Sequence, residues 1–153
     1  PHRRSMARIP APDAHEVSTW PMFFGVGETW YAKPDAGALL VSPADEDPTE
    51  PHDAWADDMT LAEGLARYSE VVTTQVTRML ANWAGLRSFA PDRTLVLGPD
   101  PDCPTFVWCA GQGGYGIQTS FAAARLVADL VLGRTSDLPP ETVAALKPDR
   151  LRP

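Results

Sequence analysis

The residues whose types and spacing could do chemistry are concentrated in one glycine-rich segment. Four of the six residues from Gly111 to Gly116 are glycines, and the chain continues Ile-Gln-Thr-Ser into a run rich in Ala, Leu and Val. Glycine adopts left-handed backbone conformations and lets another group approach the main chain. The first N–H groups of a helix lack partners and carry partial positive charge. The segment therefore indicates a binding site for an anionic or electron-rich group.

The elements that must position this segment follow from the hydrophobic pattern on either side of it. Residues 105–110 are apolar, β-branched or aromatic, which predicts a buried strand. The residues after Gly116 contain no proline before Gly133, a typical helix-terminating residue, so they predict a helix. The glycines are therefore expected at a strand-to-helix corner.

The spacing of Gly111, Gly113 and Gly116 also satisfies the dinucleotide-binding pattern, and Asp129 lies near the distance expected for a ribose-binding acid. That pattern requires a second parallel strand after the helix, with the acid at its end. Here Asp129 falls inside the predicted helix, and only about 20 residues follow, too few for a doubly wound sheet. The corner is therefore expected to bind a part of a ligand other than the pyrophosphate of a dinucleotide. The alternative is a turn that serves only tight packing.

The rest of the chain is predicted to consist mainly of short strands. The predicted strands are residues 3–9, 22–26, 29–32, 38–41, 83–89 and 94–97. Those at 22–26, 29–32 and 38–41 suggest an antiparallel meander. Residues 42–58 are rich in Asp, Glu and Pro and predict a solvated loop. Thr60 with Glu63 resembles a capping box at the start of a helix that ends near residues 71–74. One or two helical turns are expected at residues 141–146.

Composition narrows the function classes. The chain has 153 residues, 44% hydrophobic residues and a formal net charge of -7, which argues against a nucleic-acid partner. No apolar run reaches the roughly 18 residues needed for a transmembrane segment, and the N-terminus lacks the apolar region of a signal peptide. These features predict a soluble, cytoplasmic protein.

The cysteines and histidines do not suggest a metal site. Cys103 and Cys109 have no Cys or His partners at metal-binding spacing, and both are predicted to be structural thiols. His2, His15 and His52 stand in Pro-rich or acidic segments and are expected to be solvated. No metal is therefore predicted.

Several segments carry a resemblance to a known family. Residues 83–89 (WAGLRSF), 95–98 (LVLG) and 106–120 (FVWCAGQGGYGIQTS) resemble the C-terminal part of the FAD-dependent D-amino-acid oxidase superfamily. The FAD-dependent D-arginine dehydrogenase type is the most similar. Upstream segments agree in the same order: RRS at 3–5, WPM at 20–22, YAKPDAG at 31–37 and SPADEDP at 42–48.

The resemblance implies an α/β fold, α+β for this stretch taken alone. The family is similar to glutathione-reductase-type flavoproteins, with an N-terminal Rossmann segment and a mixed-sheet substrate domain. Residues 1–82 would be the C-terminal portion of the substrate-binding domain, and residues 83–153 that of the FAD-binding domain. The Rossmann half would precede this chain.

The resemblance also assigns roles to individual residues. Main-chain N–H groups would face N1 and the C2 carbonyl of the flavin at Gly113, Gly114, Tyr115, Gly116, Ile117 and Gln118. Arg87 matches a guanidinium that holds the substrate carboxylate, assisted by the hydroxyl of Tyr31. Arg4 matches a second arginine on the pocket wall. Gly114 would offer its carbonyl to the substrate amine, and Gln118 would line the pocket.

The implied reaction is oxidation of the Cα–N bond of a D-amino acid by hydride transfer to flavin N5. The imino acid product hydrolyses to a 2-oxo acid and ammonia, and no catalytic base is needed. The resemblance also implies non-covalent FAD, because residues 85–88 contain no cysteine, whereas the related sarcosine oxidases have a flavin-linked cysteine near this segment. The acidic residues between 45 and 58 could attract a cationic, D-arginine-like substrate. A glycine or sarcosine-type amine oxidase and a non-catalytic anion-binding module are the alternatives; the electron acceptor stays open.

Overall fold

The computed structural model describes residues 1–12, 15–73 and 75–152. The chain divides into two compact units, Pro1–Leu86 and Arg87–Pro153. The assignment of residues 1–82 to a substrate-binding domain and of 83–153 to an FAD-binding domain stays a prediction. Each unit is described separately below.

The first unit is built on an antiparallel sheet. Its elements are β1 (His2–Pro10), β2 (Phe23–Phe24), β3 (Tyr31–Asp35), β4 (Ala38–Ser42), β5 (Asp47–Pro48), α1 (Asp58–Ser69) and β6 (Ala81–Arg87). The strand order is β2-β3-β4-β1-β5, with β6 also paired to β1. The predicted antiparallel meander is therefore confirmed for β2, β3 and β4.

A tight hairpin joins β3 to β4. Asp35 pairs with Ala38, which leaves only Ala36 and Gly37 in the loop. Both have positive φ, 45° and 73°. This is the geometry that two-residue hairpins need to match the twist of their strands.

The core of the first unit lies between the sheet and α1. Alternate residues of β1 are buried, and Ile9 packs with Leu39, Val41 and Trp30. Tyr68 of α1 joins this cluster, with its ring 5.2 Å from that of Trp30 in an edge-to-face arrangement. The buried residues recur every second position in β1 and at helical spacing in α1. One face of each of these elements is therefore buried.

The start of α1 differs from the prediction. Asp57, not Thr60, is the N-cap, and its Oδ1 accepts hydrogen bonds from Thr60 N (2.8 Å) and Thr60 Oγ1 (2.9 Å). Thr60 therefore donates its hydroxyl to the cap, and the predicted capping box with Glu63 is wrong. The helix ends at Ser69, before the β-branched residues that follow.

The second unit contains a two-stranded sheet and helices. Its elements are β7 (Val96–Pro99), β8 (Val107–Ala110), α2 (Gly116–Val131), α3 (Pro140–Leu146) and a 3₁₀ turn at Pro148–Leu151. β7 and β8 are antiparallel, and Leu97 of β7 packs with Ala123 and Leu126 of α2. Gly133 has a φ of 62° and follows the end of α2, as predicted.

The structural context rules out the dinucleotide fingerprint. Asp129 lies inside α2, where it is 9% exposed. Within the described stretch from 75 to 152, α2 is followed by α3 and a 3₁₀ turn and by no further strand. The acid and the second parallel strand of a dinucleotide-binding unit are thus lacking there.

Two side-chain predictions are wrong. Cys103 and Cys109 are both exposed thiols, although free cysteines are usually buried. His2 is half-buried because it belongs to β1, which pairs with β5; His15 and His52 are exposed.

None of the helices among the described residues is both long and apolar enough to cross a membrane. The same residues contain no group of three or more His, Cys, Asp or Glu that could hold a metal ion.

Candidate functional site

The glycine-rich turn connects β8 to α2 and is tied to the chain that follows β6. Gly111 and Gly113 have φ values of 67° and 56°, so both need the left-handed region that favours glycine. Gly113 N donates to the carbonyl oxygen of Ser88 at 2.9 Å. The turn and the segment around Ser88 therefore hold each other in place.

Two glycines of this turn make room for neighbouring side chains. A Cβ on Gly114 would lie 2.5 Å from Nη1 and 3.2 Å from Cζ of Arg87. A Cβ on Gly113 would lie 2.6 Å from Cε1 of Phe89. The Phe89 ring is itself covered by the guanidinium of Arg93, 4.3 Å from its centroid. Glycine at 113 and 114 thus lets the side chains of Arg87 and Phe89 lie against the main chain of the turn.

The start of α2 faces outward without a side-chain cap. Tyr115 occupies the N-cap position and makes no capping hydrogen bond, and the first turn has no acidic residue. The first N–H groups of a helix have no intrahelical partner, so their partial positive charge stays available to a ligand. The side chains of Tyr115 (53% exposed) and Ile117 (95% exposed) stand beside them. Main-chain donors next to apolar side chains fit the polar edge of a flat, electron-rich ring.

In the first unit, two predicted site residues lie together. Tyr31 is 8% exposed, and Cζ of Arg4 is 6.0 Å from the centroid of its ring. The Arg4 side chain is 11% exposed, and its Nη2 donates to Oε1 of Glu46 in an ion pair. Arg4 is therefore a largely buried cation between an aromatic ring and a carboxylate.

The loop that supplies Glu46 is better ordered than its composition predicts. The Asp45 side chain is 5% exposed and accepts hydrogen bonds from Ser5 N (2.7 Å) and Ser5 Oγ (2.8 Å). Ser42 Oγ donates to the carbonyl oxygen of Ser5 at 2.8 Å. β5 then pairs with β1, so this part of the predicted solvated loop folds onto the sheet.

Sequence reasoning noted Asp45 and Glu46 only as part of an acidic run that could attract a cation, and it missed their pairing with β1. Their signal was the placement of Arg3, Arg4 and Ser5 on one strand against the acidic run after Pro43. Opposite charges on two segments indicate pairing only when the segments are known to be adjacent, and the β1–β5 register supplies that adjacency.

The other predicted residues are placed in their own units. Arg87, Gly113 and Gly114 are neighbours in the second unit, and Gln118 is exposed on the first turn of α2. Arg4 and Tyr31 are neighbours in the first unit. The roles of all these residues stay predictions.

A cavity of about 440 Å³ lies in the second unit, apart from the predicted site residues. Its walls include Phe89, Val96, Trp108 and Leu151, and no predicted site residue lines it. At its rim, Asp100 accepts a 2.8 Å hydrogen bond from Trp108 Nε1, which is the main cause of a lowered pKa of that carboxyl. The contact holds the connection between β7 and β8.

Comparison with known proteins gives a family-level result. The sequence profile described as "DAO: FAD dependent oxidoreductase" matches residues 1–130. The resemblance noted from the motifs is thereby confirmed at the level of the family, and FAD is the cofactor of that family. The D-arginine dehydrogenase type stays a prediction.

Solved structures with this fold carry names of amine and amino-acid oxidoreductases. Iminodiacetate oxidase from Chelativorans sp. BNC1 is similar over 94% of this chain, with a TM-score of 0.80 and 18% identity. Glycine oxidase from Geobacillus kaustophilus (TM-score 0.76, 21% identity, 94% of this chain) and L-proline dehydrogenase from P. horikoshii (0.78, 20%, 98%) are also similar.

The chain spans 38% of the length of the first two of these proteins and 39% of the third. At these identities the similarity concerns the fold, and the α/β arrangement with antiparallel sheets corresponds to part of it.

Proposed function

The chain belongs to the FAD-dependent oxidoreductase family, and from that premise we propose that the protein oxidises the Cα–N bond of a D-amino acid. The proposed substrate has a basic side chain, as in D-arginine. The amino acid loses a hydride from Cα and a proton from nitrogen, and water hydrolyses the imino acid to a 2-oxo acid and ammonia. FAD, when bound, supplies the acceptor for the hydride at N5.

One observation carries this proposal: the guanidinium of Arg87 lies against Gly114, immediately before the uncapped start of α2. A guanidinium offers parallel, charge-assisted hydrogen bonds that suit a carboxylate. Placed there, it would hold an amino acid beside a helix terminus that favours electron-rich groups. Carboxylate binding and binding of the flavin's polar edge would thus be supplied by adjacent residues.

Cofactor binding is proposed for the turn and the first turn of α2. The main-chain N–H groups of this segment would face N1 and the C2 carbonyl, where aligned donors stabilise negative charge. The proposed residues are Gly113, Gly114, Tyr115, Gly116, Ile117 and Gln118. The N–H groups of Gly113 and Tyr115 already donate to the carbonyl oxygens of Ser88 and Gln112, so these two residues would shape the segment and the other four would supply the donors. Because the donors belong to the main chain, backbone shape matters more than side-chain identity at these positions.

In the second unit, substrate binding is proposed for Arg87, which would bind a carboxylate, for the Gly114 carbonyl, which would accept a hydrogen bond from the amine, and for Gln118, which would line the site. In the first unit, Tyr31 is proposed as a hydroxyl donor to a substrate carboxylate and Arg4 as part of a substrate-binding wall. A substrate bound with a neutral amine needs no basic side chain for deprotonation, which agrees with the absence of a histidine from the proposed residues.

The test is a spectrum and a substrate panel on the protein expressed from its complete gene. We expect a yellow protein with bound flavin that reduces a dye acceptor with D-arginine and more slowly with D-norleucine. Activity on glycine or sarcosine alone would contradict the D-amino-acid proposal and would support a glycine or sarcosine-type amine oxidase. A colourless protein that cannot be reconstituted with FAD would support a non-catalytic module.

Arg87→Lys tests the carboxylate role directly. Lysine keeps the charge but loses the fork of parallel donors, so KM should rise by about tenfold or more with a smaller change in kcat. Arg78→Lys is the matched control, because Arg78 is an exposed arginine outside the site. Equal KM values for Arg87→Lys and Arg78→Lys would contradict the assignment.

A further inference from the structure

The ion pair between Arg4 and Glu46 adds a negative charge to the predicted substrate-binding wall of the first unit, beside the positive charge of Arg4. The Arg4 side chain is 11% exposed and that of Glu46 is 33% exposed. Arg4 Nε is also buried and makes no hydrogen bond to any described residue. A buried guanidinium needs a counter-charge, and Glu46 supplies one.

Glu46 is held at Arg4 by both of its neighbours in sequence. Asp45 is anchored to Ser5 by two hydrogen bonds, and Asp47 accepts one from Arg3 Nη2 at 2.8 Å. Asp47 also pairs with Arg3 in the β1–β5 ladder. The main chain on each side of Glu46 is therefore tied to β1, which keeps the Glu46 backbone beside Arg4.

The local charge balance is negative. Two arginines, Arg3 and Arg4, form ion pairs with three carboxylates. The carboxylates are those of Asp45, Glu46 and Asp47. A second carboxylate that approached Arg4 would compete with Glu46 for the guanidinium and would be repelled by it. Specificity of this kind arises from an unfavourable interaction with the wrong ligand.

We propose that Glu46 is a specificity-determining residue whose carboxylate occupies Arg4 and thereby rejects substrates with an acidic side chain. The inference rests on the proposed function, in which Arg4 belongs to the substrate-binding wall. It adds a residue that the family resemblance does not assign. Neutral side chains lack the second carboxylate that Glu46 would repel, and cationic side chains meet no repulsion from it.

The experiment compares Glu46→Gln with the unchanged protein in FAD-loaded form. Glutamine keeps an oxygen acceptor for Arg4 but removes the charge, so the segment should keep its fold. We expect kcat/KM for D-glutamate, relative to D-norleucine, to rise by about tenfold. Glu50→Gln, an exposed glutamate in the same acidic region, is the matched control for the change in net charge and should leave the ratio unchanged.

A binding measurement makes the test independent of turnover. Calorimetric titration with glutarate, a dicarboxylate without an amine, should give a Kd about tenfold lower for Glu46→Gln than for Glu50→Gln. Unchanged glutarate binding and an unchanged substrate ratio would overturn the role of Glu46. If no amino acid is oxidised by the unchanged protein, the proposed function fails, and the glutarate titration alone decides the inference.

Discussion

At the scale of single residues, the glycines of the turn serve two different needs. Gly111 and Gly113 supply positive φ, which any other residue adopts at a cost. Gly114 has no such conformation, and its lack of a Cβ is needed because the Arg87 guanidinium occupies that space. A substitution at Gly114 therefore acts on Arg87 rather than on the backbone.

Gly114→Ala should displace the Arg87 guanidinium, because the added methyl would lie 2.5 Å from Nη1. We expect kcat/KM for the D-amino acid to fall by about tenfold to a hundredfold, mostly through KM, since the carboxylate contact is weakened. Steady-state kinetics check this. Gly85→Ala is the control, because a Cβ there has nothing within 4 Å. If Gly114→Ala had the same kinetics as Gly85→Ala, the position of the Arg87 guanidinium would not depend on the absence of a Cβ at residue 114.

At the scale of elements, side chains and main-chain groups at the ends of helices decide what each helix does. α1 begins at a capped, acidic end: Asp57 satisfies the Thr60 N–H. α2 begins without any side-chain cap and without an acidic first turn. The start of α1 is thus stabilised by a side-chain cap, whereas the start of α2 has none.

The Asp57 cap should make stability depend on pH. The hydrogen bond from the Thr60 N–H, followed by that from its hydroxyl, lowers the pKa of Asp57 below its ordinary value in the folded protein. A lowered folded-state pKa means that the stabilisation is present above the unfolded-state pKa of about 3.9 and is lost as pH falls through the lower folded value. Asp57→Asn should therefore lower the urea midpoint at neutral pH, with a difference that disappears in acid.

The control for the urea midpoints of Asp57→Asn is Asp53→Asn, at an exposed carboxylate outside the helix. A pH-independent difference between the Asp57 variant and the unchanged protein would show that the cap acts without its charge.

At the scale of the whole molecule, each unit closes over its own core with its own charged contacts. In the second unit the C-terminal 3₁₀ turn is tied to residues 58 positions earlier: Arg150 Nε and Nη2 donate to the two carboxylate oxygens of Asp92 at 2.6 and 3.1 Å. Arg150 Nη2 also donates to the Thr94 carbonyl at 2.7 Å. These contacts join the 3₁₀ turn to the segment immediately before β7.

Arg150→Lys should lower the Tm by on the order of 5 °C, because an ammonium cannot reproduce a fork that donates to the Asp92 carboxylate and to the carbonyl oxygens of Thr94, Leu146 and Lys147. Differential scanning calorimetry measures this. Arg134→Lys, at an exposed arginine of the same unit, should leave the Tm within about 1 °C. Equal Tm values for the two variants would show that the C-terminal turn is held by its apolar contacts alone.

The sequence by itself determined the pattern of elements and the place of the corner. The strand predicted at residues 3–9, the predicted meander and the proline-free run after Gly116 come from local signals, and each agrees with the structure. The motifs from 83 to 120 were also sufficient to identify the family. Local patterns succeed here because backbone propensity and hydrophobic period act over a few neighbouring residues.

Only the tertiary structure decided which side chains meet. The space above Gly114 is needed by Arg87, 27 positions earlier, and Arg4 is paired with Glu46, 42 positions later. No local pattern encodes such contacts, because they depend on strand register and on the path of a turn in space. The same reason explains the exposed cysteines and the N-cap at Asp57, where packing and competing hydrogen bonds overrode the average preference of a residue type.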